Sequence, residues 1–334
     1  MIISIGLLVL SLGIILAGAE LFTNGIEWFG RKLQLAEGAV GSVLAAVGTA
    51  LPETMIPIIA ILFGKGAHSE EIGVGAILGA PLMLSTLAMF VTGLAVLIFA
   101  RTRRRSSEMR VDHKVLGRDL RTFFVVYVLA IGASFLPGRP YKVAAALVLI
   151  GLYVYYVRQT FRGVIGEGHG HELGRLHFHR RAEVPRLRVV VTQVFAALVC
   201  IIVGAHLFVQ NLSHIATVLG MSAFVLSTIV TPIATELPEK FNSVTWVRKK
   251  KDTLALGNIS GAMVFQSSIL PALGLMFTPW VLSRDALATA VVALVAAGVI
   301  SAEMAIRKRV SPFTLLLGIV FYAAYLVYVF AFEH

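Results

Sequence analysis

The sequence predicts an all-α polytopic membrane protein with ten transmembrane helices in two inverted repeats, spans 1–5 and spans 6–10. Composition, recurring apolar runs and an internal similarity support this fold class. Of the 334 residues, 57% are hydrophobic and 14% are charged, and the mean hydropathy is +0.85. A soluble domain carries about a quarter charged residues. The apolar runs are continuous rather than alternating, which excludes an outer-membrane β-barrel.

Apolar runs of roughly 20 residues are long enough to cross a bilayer as helices. The first run follows no basic segment and continues past the length of a signal peptide, so we interpret it as a spanning helix. The second, third and seventh runs are longer than a span requires, and we expect these helices to be tilted or broken. The predicted spans are 2–28, 34–63, 70–99, 119–136, 141–161, 188–213, 218–247, 253–276, 282–304 and 312–332.

The basic residues set the predicted orientation. Most of the 29 Lys and Arg residues fall in the loops after the odd-numbered spans, including the run RTRRRSSEMR at 101–110. The positive-inside rule then makes these loops cytoplasmic and places both termini outside. The net charge of +11 therefore indicates topology and contact with anionic lipid. It does not indicate nucleic-acid binding, because no interleaved aromatic residues accompany it. The exceptions to the bias are Lys65, Arg139, Lys142, Arg284 and Lys240.

The two halves of the chain share an internal repeat. GAELF at 18–22 matches GAHLF at 204–208, and GTALPE at 48–53 matches ATELPE at 234–239. Further along, GAILGAPLML resembles GNISGAMVFQ in the third helix of each repeat. Each repeat covers three spans, 1–3 and 6–8. Span 1 starts outside and span 6 starts inside, so the repeats are inverted. Inverted three-helix repeats are typical of secondary transporters, whose sites lie near the midplane.

The repeat predicts three segments of chain. Residues 1–161 form a first five-helix half, with its repeat at about 18–99. Residues 162–187 form a cytoplasmic loop rich in His and Arg. Residues 188–334 form the second half, with its repeat at about 204–276.

Each Leu-Pro-Glu element combines a helix-breaking proline with a carboxylate. A proline in a helix frees a carbonyl one turn earlier, and in lipid that carbonyl needs another partner. A threonine four residues before each glutamate lies on the same helical face. Carboxylate, hydroxyl and carbonyl oxygens are the ligands of a hard cation such as Ca²⁺ or Na⁺. The candidate ligands and helix breakers are Thr49, Pro52, Glu53, Thr235, Pro238 and Glu239.

Kinked helices with protonated, structural glutamates are the alternative interpretation of these elements. An intramembrane charge costs at least roughly 2.5–3.5 kcal/mol, and two matched charges therefore favour a functional role.

These motifs resemble the paired alpha-repeats of the sodium/calcium exchanger family, within the cation/calcium exchanger superfamily. The family pattern is Gly-Thr-Ser-Leu-Pro-Glu in the second helix of each repeat and Gly-Asn-x-x-Gly-Ser-Asn-x-x-Asn or Asp in the third. The resemblance implies antiport of Ca²⁺ against Na⁺ by alternating access. It also implies cation ligation by Thr49, Glu53, Thr235 and Glu239.

Several positions depart from the family pattern. Side-chain oxygens are missing mainly from the first repeat. In the second repeat, Glu236 and Gln266 are further candidate cation ligands, and Asn258 is a candidate for ion coupling or gating. The departures are Ala50, Ala76, Ala80, Leu84, Glu236, Ala262 and Gln266.

Lys240 follows the second Leu-Pro-Glu element, four residues after Glu236, a favourable spacing for a helical ion pair. In one interpretation, Lys240 neutralises Glu236 and leaves Glu53 and Glu239 as the ligand pair. In the other, the ammonium group replaces a bound Na⁺, and its protonation couples transport to pH. A third arrangement has Lys240 extending away from the site.

Two further features are candidates for lesser roles. Glu20 aligns with His206 in the repeat, and both are candidates for an ion pathway or gate, or for hydrogen bonding between helices. The loop 166–181 carries two His-x-His pairs, at His169, His171, His177 and His179, which either bind a transition metal or are solvated.

The sequence therefore predicts a Ca²⁺/Na⁺ antiporter, with H⁺ coupling or another divalent substrate as alternatives. A transport-dead membrane regulator or scaffold is the alternative from a different class. No nucleotide-binding glycine loop, catalytic triad or metal-hydrolase motif is present, so we expect no enzyme and no cofactor. The expected partners are inorganic cations and the lipid bilayer, without nucleic acid, and a monomer is compatible with the sequence. Short loops and a Gly-, Ala- and Arg-rich composition indicate a prokaryotic inner membrane.

Overall fold

The computed structural model describes residues 1–32, 50–64, 68–102, 104–163, 174–179 and 183–332. In these residues the chain is helical and contains no strands, which confirms the all-α class. Two short 3₁₀ turns lie at Ala133–Phe135 and His177–His179. The long helices are α1 Ile2–Lys32, α2 Ala50–Phe63, α3 Ser69–Arg101, α4 His113–Gly132, α5 Arg139–Gly163, α6 Leu187–Leu219, α7 Ala223–Arg248, α8 Asp252–Phe277, α9 Arg284–Arg307 and α10 Pro312–Phe332.

In the part of the chain that the structure describes, seven helices are long and apolar enough to cross a membrane: α1, α3, α5, α6, α8, α9 and α10. The chain is therefore a multi-pass membrane protein. The other three contain shorter apolar segments or charged residues, so the count of ten spans and the outside position of both termini stay predictions. The boundaries of the three predicted segments also stay predictions.

The first helices of the two repeats, α1 and α6, pack mainly against each other. Gly18 brings the backbones close, because a Cβ there would lie 2.8 Å from the Ile201 side chain. Small residues at such contacts let membrane helices approach closely and gain van der Waals attraction.

Helices α3 and α8 form the interior of the bundle. About two thirds of their most apolar windows are buried (61% and 67%), against 28% in α1. Helix α3 packs tightly on α7 at Gly79, where a Cβ would lie 2.4 Å from the Thr228 carbonyl oxygen. Helices α4 and α5 pack against α8, and α10 packs against α3.

The helices predicted to be broken keep a helical backbone where the structure describes them. Helix α7 runs from Ala223 to Arg248 through Pro238, which therefore does not break it. Neighbouring helices and hydroxyl groups can satisfy the backbone groups that a proline frees. The irregularities are instead π-helical turns, at Ile59–Phe63 in α2 and at Leu84–Ala88 in α3. Such turns are frequent at functional sites.

A buried ion pair fixes the start of α8. The Arg105 guanidinium donates to both carboxylate oxygens of Asp252, at 2.6 and 2.8 Å. Arg105 also donates to the carbonyls of Val247 and Glu108, at 3.0 and 3.1 Å. The α3–α4 connection is thereby joined to the turn between α7 and α8. One arginine of the basic run predicted to contact lipid therefore has a structural partner inside the protein.

A second buried carboxylate, that of Asp119, joins α4 and α5 to α8 at a point further along α8. Asp119 of α4 accepts hydrogen bonds from Ser260 of α8 at 2.7 Å and from Tyr156 of α5 at 3.1 Å. Arg118 lies 3.1 Å from the same carboxylate. These contacts tie α8, which carries Asn258 and Gln266, to the outer helices.

Candidate functional site

The first Leu-Pro-Glu element begins the described part of α2. Pro52 is buried and lies in the first turn, and Glu53 is only 6% exposed. Further along, Ile56 and Ala60 belong to an apolar cluster shared with α1, α3, α6 and α7. The helix therefore holds the Glu53 carboxylate inside the protein. Thr49 lies outside the described residues.

The second element lies within α7. Thr235 and Glu236 are both buried, and Glu236 is fully so. The Thr235 hydroxyl donates to the Thr231 carbonyl at 3.0 Å, which leaves its oxygen lone pairs available to a cation. Glu239 and Lys240 have helical backbone, but their side chains lie outside the described part of the structure. The Glu236–Lys240 ion pair and the cation-surrogate role of Lys240 therefore both stay predictions.

A row of buried hydroxyl groups leads along α7 to Thr235. Ser227 and Thr231 stand eight and four residues before it, and their hydroxyl oxygens are 3.1 Å apart. Ser227 also donates to the Ile72 carbonyl of α3 at 2.7 Å. This polar face was not singled out from the sequence, although its four-residue spacing on one helix was available as a signal.

Helix α8 contributes two buried side-chain oxygens. Gln266 and Ser267 are buried, and in the described residues Gln266 Oε1 and Ser267 Oγ have no hydrogen-bond partner. Buried polar atoms are normally paired, so these oxygens favour a polar occupant. The sequence predicted Gln266 as a ligand but not Ser267. Ser267 aligns with buried Ser85 of α3, because the third-helix motifs begin at residues 75 and 257 and both pairs are 182 residues apart. Asn258 lies about two turns earlier and is half-buried.

The helices that carry these oxygens pack together. Helix α3 contacts both α7 and α8, α7 contacts α8, and the π-helical end of α2 contacts α3 and α8. Carboxylate, hydroxyl and amide oxygens from both repeats are thus held on one group of buried helices. Such a set of oxygens can strip the hydration shell from a hard cation.

The proposed gate pair is less buried than the candidate ligand oxygens. The Glu20 side chain is 74% exposed, and its carboxylate lies 3.6 Å from His177 Nε2. His206 is half-buried, with its Nε2 2.9 Å from Gln210 Nε2 of the same helix. Their role in an ion pathway stays a prediction.

The segment 174–179 is hydrogen-bonded to the α1–α6 pair. Trp28 of α1 donates to the Gly174 carbonyl at 2.8 Å. Gln193 of α6 accepts from the Phe178 amide at 2.8 Å and donates to Asn24 at 3.0 Å. This part of the predicted cytoplasmic loop therefore packs against the ends of the first helices of both repeats.

The histidine loop is described only in part. His177 and His179 lie in the segment 174–179, whereas His169 and His171 lie outside the described residues. Where the structure describes the chain, no three His, Cys, Asp or Glu side chains form a group able to hold a metal ion.

Comparison with known proteins identifies the family. The model of the family described as "Sodium/calcium exchanger protein" matches residues 3–161 and 189–332, which is nearly the whole chain.

Curated proteins and solved structures are also similar to this chain. The sodium/calcium exchanger MaX1 of Methanosarcina acetivorans is 22% identical over 298 residues, covering 83% of this chain and 84% of MaX1. The inner membrane protein YrbG of Escherichia coli is 25% identical, covering 84% and 81%. The crystal structure of the H⁺/Ca²⁺ exchanger CAX aligns with a TM-score of 0.72 at 16% identity, covering 98% of this chain and 86% of CAX. This structural likeness supports the fold.

Proposed function

We propose that this chain, which belongs to the sodium/calcium exchanger protein family, is a secondary active antiporter that exchanges Ca²⁺ for Na⁺. The family comprises ion exchangers and not enzymes. The proposal places transport at a midplane site by alternating access, in a prokaryotic inner membrane.

The observation that carries the proposal is the set of buried oxygens on packed, apolar helices. Glu53 and Glu236 are buried, and on the neighbouring helix α8 the side-chain oxygens of Gln266 and Ser267 have no hydrogen-bond partner in the described residues. Apolar residues at positions 266 and 267 would be less costly to bury, because burying a polar group without a partner costs free energy. A cation as substrate would satisfy the Gln266 and Ser267 oxygens.

Each residue type supplies a different part of the binding chemistry. The Glu53 and Glu239 carboxylates balance the double charge of Ca²⁺. Thr235, Gln266 and Ser267 add neutral oxygens, which help to reach the six to eight ligands that Ca²⁺ takes. Na⁺ competes for the same oxygens with half the charge, so the two ions occupy the site in turn. Opposite ion gradients then drive exchange without a cofactor.

H⁺ as the counter-ion is the second candidate. At Leu84 the family pattern has Asn or Asp, and here the position is a buried apolar side chain inside the π-helical turn. Because the first repeat has fewer side-chain oxygens than the family pattern, fewer ligands are available for separate Na⁺ sites. Lys240, in the middle of α7, would then supply a titratable positive charge. Another divalent ion, such as Mg²⁺ or Mn²⁺, is the corresponding alternative substrate.

Ion flux into sealed proteoliposomes tests the coupling. We would measure Ca²⁺ uptake with an outward Na⁺ gradient, an outward H⁺ gradient, or neither. The Ca²⁺/Na⁺ proposal expects uptake only with the Na⁺ gradient. Uptake driven only by H⁺ would replace it with the second candidate.

The Lys240→Met variant decides between the two roles of the lysine. If Lys240 only neutralises Glu236, the variant keeps the pH and Na⁺ dependence of transport and is less stable. If the ammonium replaces a bound Na⁺, both dependences change.

A transport-dead scaffold remains the alternative from a different class. It predicts no flux under any gradient with any of the divalent ions. It also predicts no cation-dependent rise in the unfolding temperature, because a ligand stabilises only the state that binds it.

A further inference from the structure

A cavity of about 420 Å³ lies where the N-terminal end of α5 meets the C-terminal end of α8. Its volume falls in the range of small-molecule sites, roughly 300–1,000 Å³. The cavity lies about three turns beyond Gln266 on α8, its lining includes none of the candidate ion ligands, and the proposed antiport does not use it.

Two cationic side chains line this cavity. Arg139 is exposed and donates one hydrogen bond, from Nη2 to the Met276 carbonyl at 3.2 Å. Its guanidinium has five N–H donors, so most remain available. Lys142 is buried, and its ammonium donates to the carbonyls of Pro279 and Trp280. In the described residues, one of the three N–H donors of this ammonium is then left without an acceptor.

The polar and apolar parts of the cavity wall are complementary to an amphiphilic anion. The Thr278 hydroxyl donates its proton to the Gly274 carbonyl, so the two cations are the donors that face an anion, and in the described residues no carboxylate lines the cavity. Phe277 and Val281 form an apolar rim and are 50% and 76% exposed. A free inorganic anion would use the cations and leave this rim in contact with water.

The depth of the cavity also suits a lipid headgroup. Helix α8 ends at Phe277 and α5 begins at Arg139, so the cavity lies level with the ends of two helices long enough to span. Tyr141, on the first turn of α5, is exposed there, as is typical of aromatic residues at a membrane interface. The charge bias of the loops predicts that this is the outer side.

We propose that the cavity binds the phosphate diester of an anionic phospholipid from the outer leaflet. Arg139 contacts the phosphate oxygens through paired N–H donors, a geometry for which guanidinium is well suited. The Lys142 ammonium adds the second positive charge. The acyl chains lie over Phe277 and Val281. The lipid would thereby join α5 to the connection between α8 and α9.

Lipid-dependent stabilisation of the full-length protein tests this proposal. The purified chain, in a neutral detergent, is titrated with short-chain phosphatidylglycerol or with inorganic phosphate while its unfolding temperature is measured. We expect phosphatidylglycerol to raise the unfolding temperature saturably, since only the folded state has the cavity. Inorganic phosphate is expected to bind much more weakly.

Two arginine variants locate the effect. Arg139→Gln removes a cavity cation that is exposed, so the lipid-free protein should keep its unfolding temperature. The half-saturating phosphatidylglycerol concentration should rise roughly tenfold or more, as for loss of charge-assisted hydrogen bonds. Arg284→Gln makes the same charge change at an exposed position outside the cavity and should leave binding unchanged.

Three results would overturn the assignment. Absence of saturable stabilisation would mean that there is no lipid site. An equal loss in both variants would reduce the effect to general surface charge. Equal half-saturating concentrations of inorganic phosphate and phosphatidylglycerol would make the cavity a free-phosphate site.

Discussion

Removal of the Arg105 side chain probes the ion pair that joins the α3–α4 connection to the start of α8. The side chains of Arg105 and Asp252 are each only 2% exposed. Arg105→Ala would delete both bonds to the carboxylate and those to the Val247 and Glu108 carbonyls. Of its partners in the described residues, the Asp252 carboxylate would keep the Arg110 backbone amide, at 2.9 Å.

The expected cost follows from leaving a buried carboxylate without its counter-charge. Breaking a buried ion pair by removing one partner costs about 3–5 kcal/mol. Two hydrogen bonds to a charged group, at about 1.5–3 kcal/mol each, give a similar figure. We therefore expect the free energy of unfolding of Arg105→Ala to fall by about 3–5 kcal/mol.

Reversible unfolding in mixed detergent micelles measures this loss. Arg104→Ala is the matched control, because Arg104 is an exposed residue of the same connection and should change stability by about 0.5 kcal/mol or less. The double variant Arg105→Met, Asp252→Leu should recover most of the loss, since two apolar residues leave no charge buried. If Arg105→Ala cost no more than Arg104→Ala, the ion pair would not stabilise the fold.

Two further predictions concern helix packing and the ion site. Gly79→Ala should lower the unfolding temperature, because the new Cβ would lie 2.4 Å from a carbonyl of α7, whereas Gly257→Ala, with open space around it, should not. Equal unfolding temperatures for the two variants would contradict the close packing. Ser267→Ala should raise the Ca²⁺ concentration for half-maximal uptake several-fold, because it removes an oxygen that has no hydrogen-bond partner among the described residues. Ser268→Ala, whose hydroxyl donates to a carbonyl at 2.6 Å, should have little effect on it. An equal rise in both variants would remove Ser267 from the site.

Hydropathy predicted the helices well because apolar runs and membrane thickness set their lengths. Their ends were less predictable, since caps decide them. Helix α4 begins at His113 and not at the predicted residue 119, because the Asp112 carboxylate accepts from the Lys114 amide at 2.8 Å. Helix α6 extends to Leu219 and stops at Gly220, whose φ of +65° is the left-handed cap typical of glycine.

The candidate site was predictable to the extent that the two repeats resemble each other. The matched Leu-Pro-Glu elements identified buried Glu53, and the third-helix motif identified buried Gln266. Ser267 was not predicted because it lies one residue beyond the family pattern. In the sequence, a serine whose hydroxyl is available to a cation looks the same as a serine whose hydroxyl is hydrogen-bonded within the protein. Only the hydrogen bonds in the structure distinguish the two.

Contacts between distant segments could not be predicted from composition. The run RTRRRSSEMR contains several arginines, and nothing local distinguishes Arg105, whose partner lies 147 residues away, from its exposed neighbours. The same limit applies to Trp28 and Gly174, which are 146 residues apart. In both cases the tertiary fold selects the partner.

Ca²⁺ uptake by a Glu53→Gln, Glu239→Gln double variant tests the central claim most directly. Proteoliposomes are loaded with Na⁺ and diluted into Na⁺-free buffer containing Ca²⁺. Glu70→Gln, at an exposed position in the first turn of α3, is the matched control for the loss of a carboxylate. The account predicts uptake by the wild-type and control proteins and only background uptake by the double variant. Uptake by the double variant at the wild-type rate would contradict a carboxylate site for Ca²⁺.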